Sequence, residues 1–190
     1  MNYNFYLKAE KFLLYFLLPS LVVSIFVADL IVSILAIGFI IQTIKFKEFK
    51  LIDNYYFKIL IFFWLYSIVV SSLSVNISSS LKSSIPYIRV ILLPLVIYKI
   101  CLEDDKFLKN FLISISIVLF ILVIDSTFEF VLEKNLLGKM STENGRISSL
   151  FNDEYILGTF ILRIFFIASA LIFYLIKDRT IKFYLLFGFI

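Results

Sequence analysis

The apolar residues of this chain come in long runs separated by short lysine-bearing segments, and that spacing leaves few folds open. The first run, Phe12 to Ile44, covers 33 residues. As a helix it would extend about 50 Å at roughly 1.5 Å per residue, too far for one ordinary bilayer crossing. Later runs recur about one bilayer thickness apart. Hydrophobic residues make up 62% of the 190-residue chain, with 23 Phe and a mean hydropathy of +1.02, and no soluble core buries that much apolar surface. The bilayer is therefore the solvent. Because the runs are continuous rather than alternating, and backbone polar groups in lipid must be satisfied within their own segment, helices are required and a barrel is excluded. The expected fold is an all-α polytopic transmembrane helical bundle, read as a single transmembrane domain over 1–190.

Splitting the first run near Ala28 and Asp29 gives two short spans, at about 10–27 with Pro19 inside and at 29–44, joined by a tight turn. Further spans are expected at about 56–75, 85–101, 108–130 and 155–176, which makes six complete crossings. A polar, Ser-rich segment from Asn76 to Ser84 precedes the fourth, and Pro86 suits the first turn of that span, where the missing N–H costs no intrahelical bond. The longest polar connection is 131–153. A seventh span begins near Ile181 and stops at Ile190, so the chain reads as the N-terminal part of a longer protein. The first run outlasts a secretory h-region and has no small-residue cleavage site, which argues against a signal peptide.

Counting Lys and Arg in the connections sets the orientation. Lys8, Lys11, Lys45, Lys47, Lys50, Lys58, Lys99, Lys106, Lys109, Lys177, Arg179 and Lys182 fall on one side, twelve cations in all; Lys82, Lys134, Lys139 and Arg146 make four on the other. The N-terminus is thus expected to be cytoplasmic and the 131–153 loop external. Of the twelve inner cations eleven are Lys, whereas Arg89, Arg146 and Arg163 lie in spans or on the outer side. Topology needs only charge. A planar guanidinium, by contrast, binds phosphate or carboxylate through two hydrogen bonds and stays charged when partly buried. The outer half is equipped for an anion.

Arg163 is about eight residues into its expected span, roughly 12 Å deep at ~1.5 Å per residue, and a guanidinium there demands a partner or a water-filled cavity. Two readings stand for it, a structural ion pair or an anion ligand. Arg89, one turn into the fourth span, reads either as an interfacial anchor or as a second ligand. Asp125 and Glu129 are four residues apart on one helix face. Asp153 and Glu154 open the sixth span, where helix capping alone would also place carboxylates. Glu154 and Arg163, nine residues apart, sit on opposite faces of an ideal helix and do not pair directly unless the helix starts irregularly, with Gly158 as a weak point.

Several chemistries are excluded. The chain has one cysteine, Cys101, and no histidine, so neither an internal disulfide nor a Cys/His zinc site nor a Ser-His arrangement can form. Cys101 reads as a small buried hydrophobe. The net charge of +4 is dispersed between spans, as topology signals are, and implies the lipid bilayer rather than nucleic acid as partner. Asn76-Ile77-Ser78 matches a glycosylation sequon, but a Ser-rich segment supplies that match by chance.

The run Arg146-Ile147-Ser148-Ser149-Leu150-Phe151-Asn152-Asp153-Glu154-Tyr155-Ile156-Leu157-Gly158, ending in Arg163, resembles a segment of bacterial O-antigen ligase and polymerase-like membrane proteins that reads approximately R-x-S-G-x-F-x-D-E-x-x-x-G-x-x-x-x-R. Asp125 with the loop holding Asn135 and Gly138, and Pro86, Arg89 and Pro94 in the fourth span, fit the same pattern; Ser149, where the family often has glycine, departs from it. The resemblance implies an enzyme of the bacterial inner membrane that transfers or polymerises glycans from an undecaprenyl-diphosphate-linked donor at the outer face, to a growing polymer or to a lipid A core acceptor. It implies no metal and no nucleotide cofactor. Arg89, Arg146, Arg163 and Asp125 would then be substrate-binding, and Asp153 and Glu154 would orient an arginine or help deprotonate the acceptor. Family members are about twice this length. The alternative is a transporter or flippase for an anionic or lipid-linked substrate, against which the lack of a visible internal repeat argues.

Overall fold

The computed structural model describes residues 3–47, 49–138, 147–151 and 156–176. Seven α-helices are present among them: α1 (Tyr3–Val23), α2 (Ile25–Phe46), α3 (Tyr55–Ser72), α4 (Ile77–Ser84), α5 (Ile88–Glu103), α6 (Phe107–Leu132) and α7 (Leu157–Leu175). Short 3-10 turns occur at Phe49–Leu51 and Ser149–Phe151. Five segments are long and apolar enough to cross a bilayer: α2, α3, the α4–α5 stretch Ile77–Glu103, α6 and α7. The protein is an all-α, multi-pass membrane bundle. The expected seventh span lies outside the described residues.

The chain divides into two compact units. One holds Met1–Leu17 and Phe26–Asp104; the other holds Leu18–Ile25 and Asp105–Ile190.

In the first unit the expected boundary at Ala28 and Asp29 is corrected. The first run breaks at Ser24, and Asp29 lies inside α2. Asp29 does not need a turn because Arg89 of α5 neutralises it, with Nη2 donating to Oδ2 at 2.7 Å. Nor are the two helices short: α1 has 21 residues and α2 has 22, each about 32 Å long. The extension of α1 back to Tyr3 is possible because its polar end is internally satisfied. Glu10, Gln42 and Lys99, from α1, α2 and α5, are 4%, 1% and 2% exposed and close a ring of hydrogen bonds. Gln42 Nε2 donates to Glu10 Oε1 at 2.6 Å, Lys99 Nζ lies 3.4 Å from Glu10 Oε2, and the same Nζ donates to Gln42 Oε1. The Tyr3 ring covers the ammonium at 5.2 Å. Lys11 pairs with Asp104 at 2.6 Å, and the Tyr3 hydroxyl donates to Glu103, so the ends of α1 and α5 are joined twice more.

The expected fourth span is also corrected. Its Ser-rich prelude is helical: α4 starts on Asn76, whose side chain accepts from Ser79 N at 3.4 Å. Pro86 lies not in a first turn but in the 85–87 joint between α4 and α5, where bonds tighten to i→i+3, as in Arg89 N to Pro86 O at 3.2 Å. The serines explain the helix. Ser71 and Ser84 share a hydrogen bond between α3 and α4, Ser74 Oγ donates to Ser80 Oγ at 2.8 Å, and Trp64 Nε1 donates to Ser84 O at 3.0 Å. Small hydroxyl side chains let two helices approach closely in lipid and bond across the interface. Beyond that seam α3 is nearly bare: only 6% of its span is buried, and aromatic residues such as Phe62 and Tyr66 face outward, as a lipid-facing helix requires. At its start Asn54 caps Tyr56 N at 3.0 Å, and a hydrogen bond from Lys58 holds the Asp53 carboxyl below its usual pKa.

In the second unit, α6 and α7 pack on the tip of the first hairpin. Leu18, Val22, Ile115, Leu119, Leu122, Phe151, Ile164 and Ala168 form a continuous core. On α7 the buried residues Ile164, Ala168 and Ile172 recur every four positions, the spacing of one helix face.

The Glu10–Gln42–Lys99 ring makes a stability prediction. Lys99→Met alone leaves a buried carboxylate without its cation and should cost about 3–5 kcal/mol. Glu10→Gln combined with Lys99→Met leaves two amides able to bond each other and should recover much of the loss. Thermal unfolding midpoints in detergent check the order wild type, double, single.

Candidate functional site

Two carboxylates in the last two turns of α6 organise the site. Asp125 and Glu129, 0% and 3% exposed, point to one side of the helix as their spacing requires. What they meet is the returning loop. Leu136 N donates to Asp125 Oδ1 at 2.7 Å and Ser149 Oγ donates to Oδ2 at 2.5 Å. Glu129 Oε1 accepts from Ser148 N at 3.1 Å and Ser148 Oγ at 3.4 Å, while Oε2 accepts from Ser149 N at 2.5 Å. Asn135 completes the seam: Nδ2 donates to Ser149 O at 3.1 Å, and Oδ1 accepts from Leu137 N at 3.1 Å. The chain turns at Gly138, whose φ of +79° is one that glycine adopts without strain. Charge-assisted bonds of this kind contribute about 1.5–3 kcal/mol each. Both ends of the 133–151 connection are thereby fastened to α6.

Ser149 has φ +53°, the left-handed region that a side chain other than glycine enters at a cost. Here the cost is offset locally, because that conformation aims its N–H at Glu129 and its Oγ at Asp125. Ser148 and Ser149 themselves are buried.

Of the residues singled out in the sequence, Arg146, Asp153 and Glu154 lie outside the described residues. Asp125 is brought to the motif, but its carboxylate is occupied by Leu136 and Ser149, so it acts on the loop and leaves no free oxygen facing open space. Arg89 belongs to the other unit: besides the Asp29 contact, Nη1 donates to Ser33 Oγ at 3.2 Å. The geometry displays an ion pair between α5 and α2, a role that neither of its two readings named. Arg163 is the reverse case. It sits in the second turn of α7, roughly 9 Å along the axis at ~1.5 Å per residue, on an outward face beside Leu162 and Phe166. It has no ion pair or hydrogen bond among the described residues. Gly158, one residue into α7, faces open space, so nothing packs where a Cβ would lie.

A cavity of about 260 Å³ adjoins this segment, lined by Leu21, Val22, Val23, Ser24 and Ile25 at the α1–α2 break and by Phe151 and Ile156. The last two residues bracket Asp153 and Glu154 in sequence. Among the described residues no cluster of three metal-ligating side chains occurs.

Sequence reasoning missed Ser148, Ser149 and Asn135 as the partners of the α6 carboxylates, and Asp29 as the partner of Arg89. The available signal was chemical: two acids four residues apart in an apolar helix need donors, and the loop that follows is rich in them. Compared with known proteins, the chain matches no family model, no curated protein and no solved structure.

The seam predicts a graded response. Ser149→Gly should keep the loop fastened, since glycine adopts the same φ freely, whereas Ser149→Val should release it, because a β-branched residue is strained there by about 1–3 kcal/mol. Glu129→Leu should raise amide exchange at Ser148 and Ser149 by about tenfold or more, as the bonds from both amides to its carboxylate are lost. Hydrogen exchange read by mass spectrometry over 133–151 checks all three.

Proposed function

We propose that the protein works in bacterial surface-polysaccharide assembly, transferring or polymerising a glycan carried on undecaprenyl diphosphate at the outer face of the inner membrane. The observation that carries this reading is Arg163: a guanidinium inside an apolar helix, unpaired among the described residues, in the same motif as Ser148 and Ser149, whose donors hold the loop to α6. An unpaired charge in a span marks a ligand pathway more often than a structural contact. A diphosphate supplies the missing anion, and its oxygens match the two-pronged donor geometry of arginine.

The left-handed backbone at Ser149 supports the same reading, because it removes the conformational objection to the one departure from the O-antigen ligase and polymerase-like pattern. In the reaction the acceptor hydroxyl oxygen forms a bond to the anomeric carbon as the glycosidic C–O bond to the carrier breaks. The diphosphate departs with the electron pair, and the hydroxyl proton passes to Asp153 or Glu154. Arg163, with Arg146, would stabilise charge developing on the leaving diphosphate, a role for preorganised donors in a water-poor site. Arg89 is assigned to holding α2 and α5 together rather than to the substrate, and Asp125 to positioning the loop. The N-terminus is placed in the cytoplasm on the lysine distribution, which puts the motif outside.

Arg163→Ala in the cell that makes this protein should reduce polymerised or ligated glycan by at least about a hundredfold, of the order expected for removing one charge-stabilising donor, with the protein still present in the membrane fraction. Normal glycan ladders from both Arg163→Ala and Arg146→Ala would refute the assignment. Carrier-linked glycan crossing reconstituted vesicles without formation of a new glycosidic bond would instead establish the flippase alternative.

A further inference from the structure

A second cavity, of about 350 Å³, opens at the lysine-rich end of the first unit, lined by Lys47, Lys50, Leu51, Lys99, Leu102 and Glu103. Its cations differ in what they already hold. Lys99 is committed to Glu10 and Gln42 and forms a fixed floor. Glu103 accepts from the Tyr3 hydroxyl. Lys45, nearby in sequence, lies over the Tyr6 and Phe46 rings at 5.6 Å. Lys47 and Lys50 are exposed and have neither ion pair nor hydrogen bond among the described residues.

Lys47 also pays in backbone. Directly after α2 it adopts φ +55°, where glycine or asparagine would end the helix at less cost. A lysine retained in a left-handed position sets an ammonium at the cavity mouth. The rest of the lining is apolar: Leu51 and Leu102 carry it toward the lipid-facing surface, and Leu102 is 62% exposed. Two uncommitted cations at the level of the helix ends, beside an apolar wall, match a phosphodiester with acyl chains attached. A zwitterionic headgroup would bring its own cation against Lys47 and Lys50.

We propose that this cavity binds the headgroup of an anionic glycerophospholipid, its phosphate held between Lys47 and Lys50. The site is independent of the outer motif and of any reaction there. Basic pockets between transmembrane helices bind anionic lipid headgroups, and each lysine near the surface strengthens such binding several-fold.

The test uses the whole chain in nanodiscs of phosphatidylcholine with and without phosphatidylglycerol, and native mass spectrometry to count retained lipid. Wild type should keep phosphatidylglycerol in preference to phosphatidylcholine. Lys47→Asn with Lys50→Gln should weaken that retention by about tenfold or more; asparagine tolerates the left-handed backbone, so the unfolding midpoint should not change. Lys8→Gln with Lys109→Gln removes the same charge from exposed lysines outside the cavity and should change retention less than about twofold. Equal losses in the two pairs, no preference for phosphatidylglycerol, or complete displacement by inorganic phosphate would each overturn the proposal, the last by showing a free-anion site.

Discussion

In a bilayer there is no water to complete a polar group's hydrogen bonds, and the whole arrangement of this protein follows from that deficit. Hydroxyls such as those of Ser33, Ser67, Ser116 and Thr127 fold back onto carbonyls of their own helix, whereas the buried charged side chains reach another helix or loop. Glu10, Gln42 and Lys99 do so among themselves and fix three helices at the lysine-rich end. Asp125 and Glu129 do so by drawing in the chain that follows α6. The same accounting makes Arg163 conspicuous, since the described protein offers it nothing.

These networks constrain geometry more than they add stability. A buried ion pair gains little over well-packed apolar residues but penalises arrangements that separate the partners. The α6 carboxylates therefore set where Ser148 and Ser149 sit. A loop at a membrane surface is otherwise held by little, because lipid gives no hydrophobic incentive to fold it against the helices.

Much of the fold was legible in the sequence because hydropathy reports directly on lipid. The all-helical, multi-pass class followed from run length, and α6 and α7 lie close to the expected 108–130 and 155–176. Boundaries failed where a polar residue had a hidden partner. Asp29 looked like a turn residue because nothing in the sequence ties it to Arg89, 60 positions away. The serines between Asn76 and Ser84 looked like a polar connection because composition cannot distinguish hydroxyls facing water from hydroxyls facing another helix. Of the candidate site, the pairing of Asp125 with Glu129 was readable from helical spacing. Their targets were not, since Ser149 lies 24 positions on and reaches Asp125 only through a left-handed turn that propensity disfavours.

The division of the first hairpin between the two units has a consequence for biogenesis. Val22, near the tip of that hairpin, packs in a core with Ile115, made 93 positions later, while most of the other unit is synthesised in between. The tip must enter the membrane early and wait, its apolar side against lipid, until α6 arrives. Neither unit can be expressed as one uninterrupted stretch of chain, and any break between them would strand a piece of each.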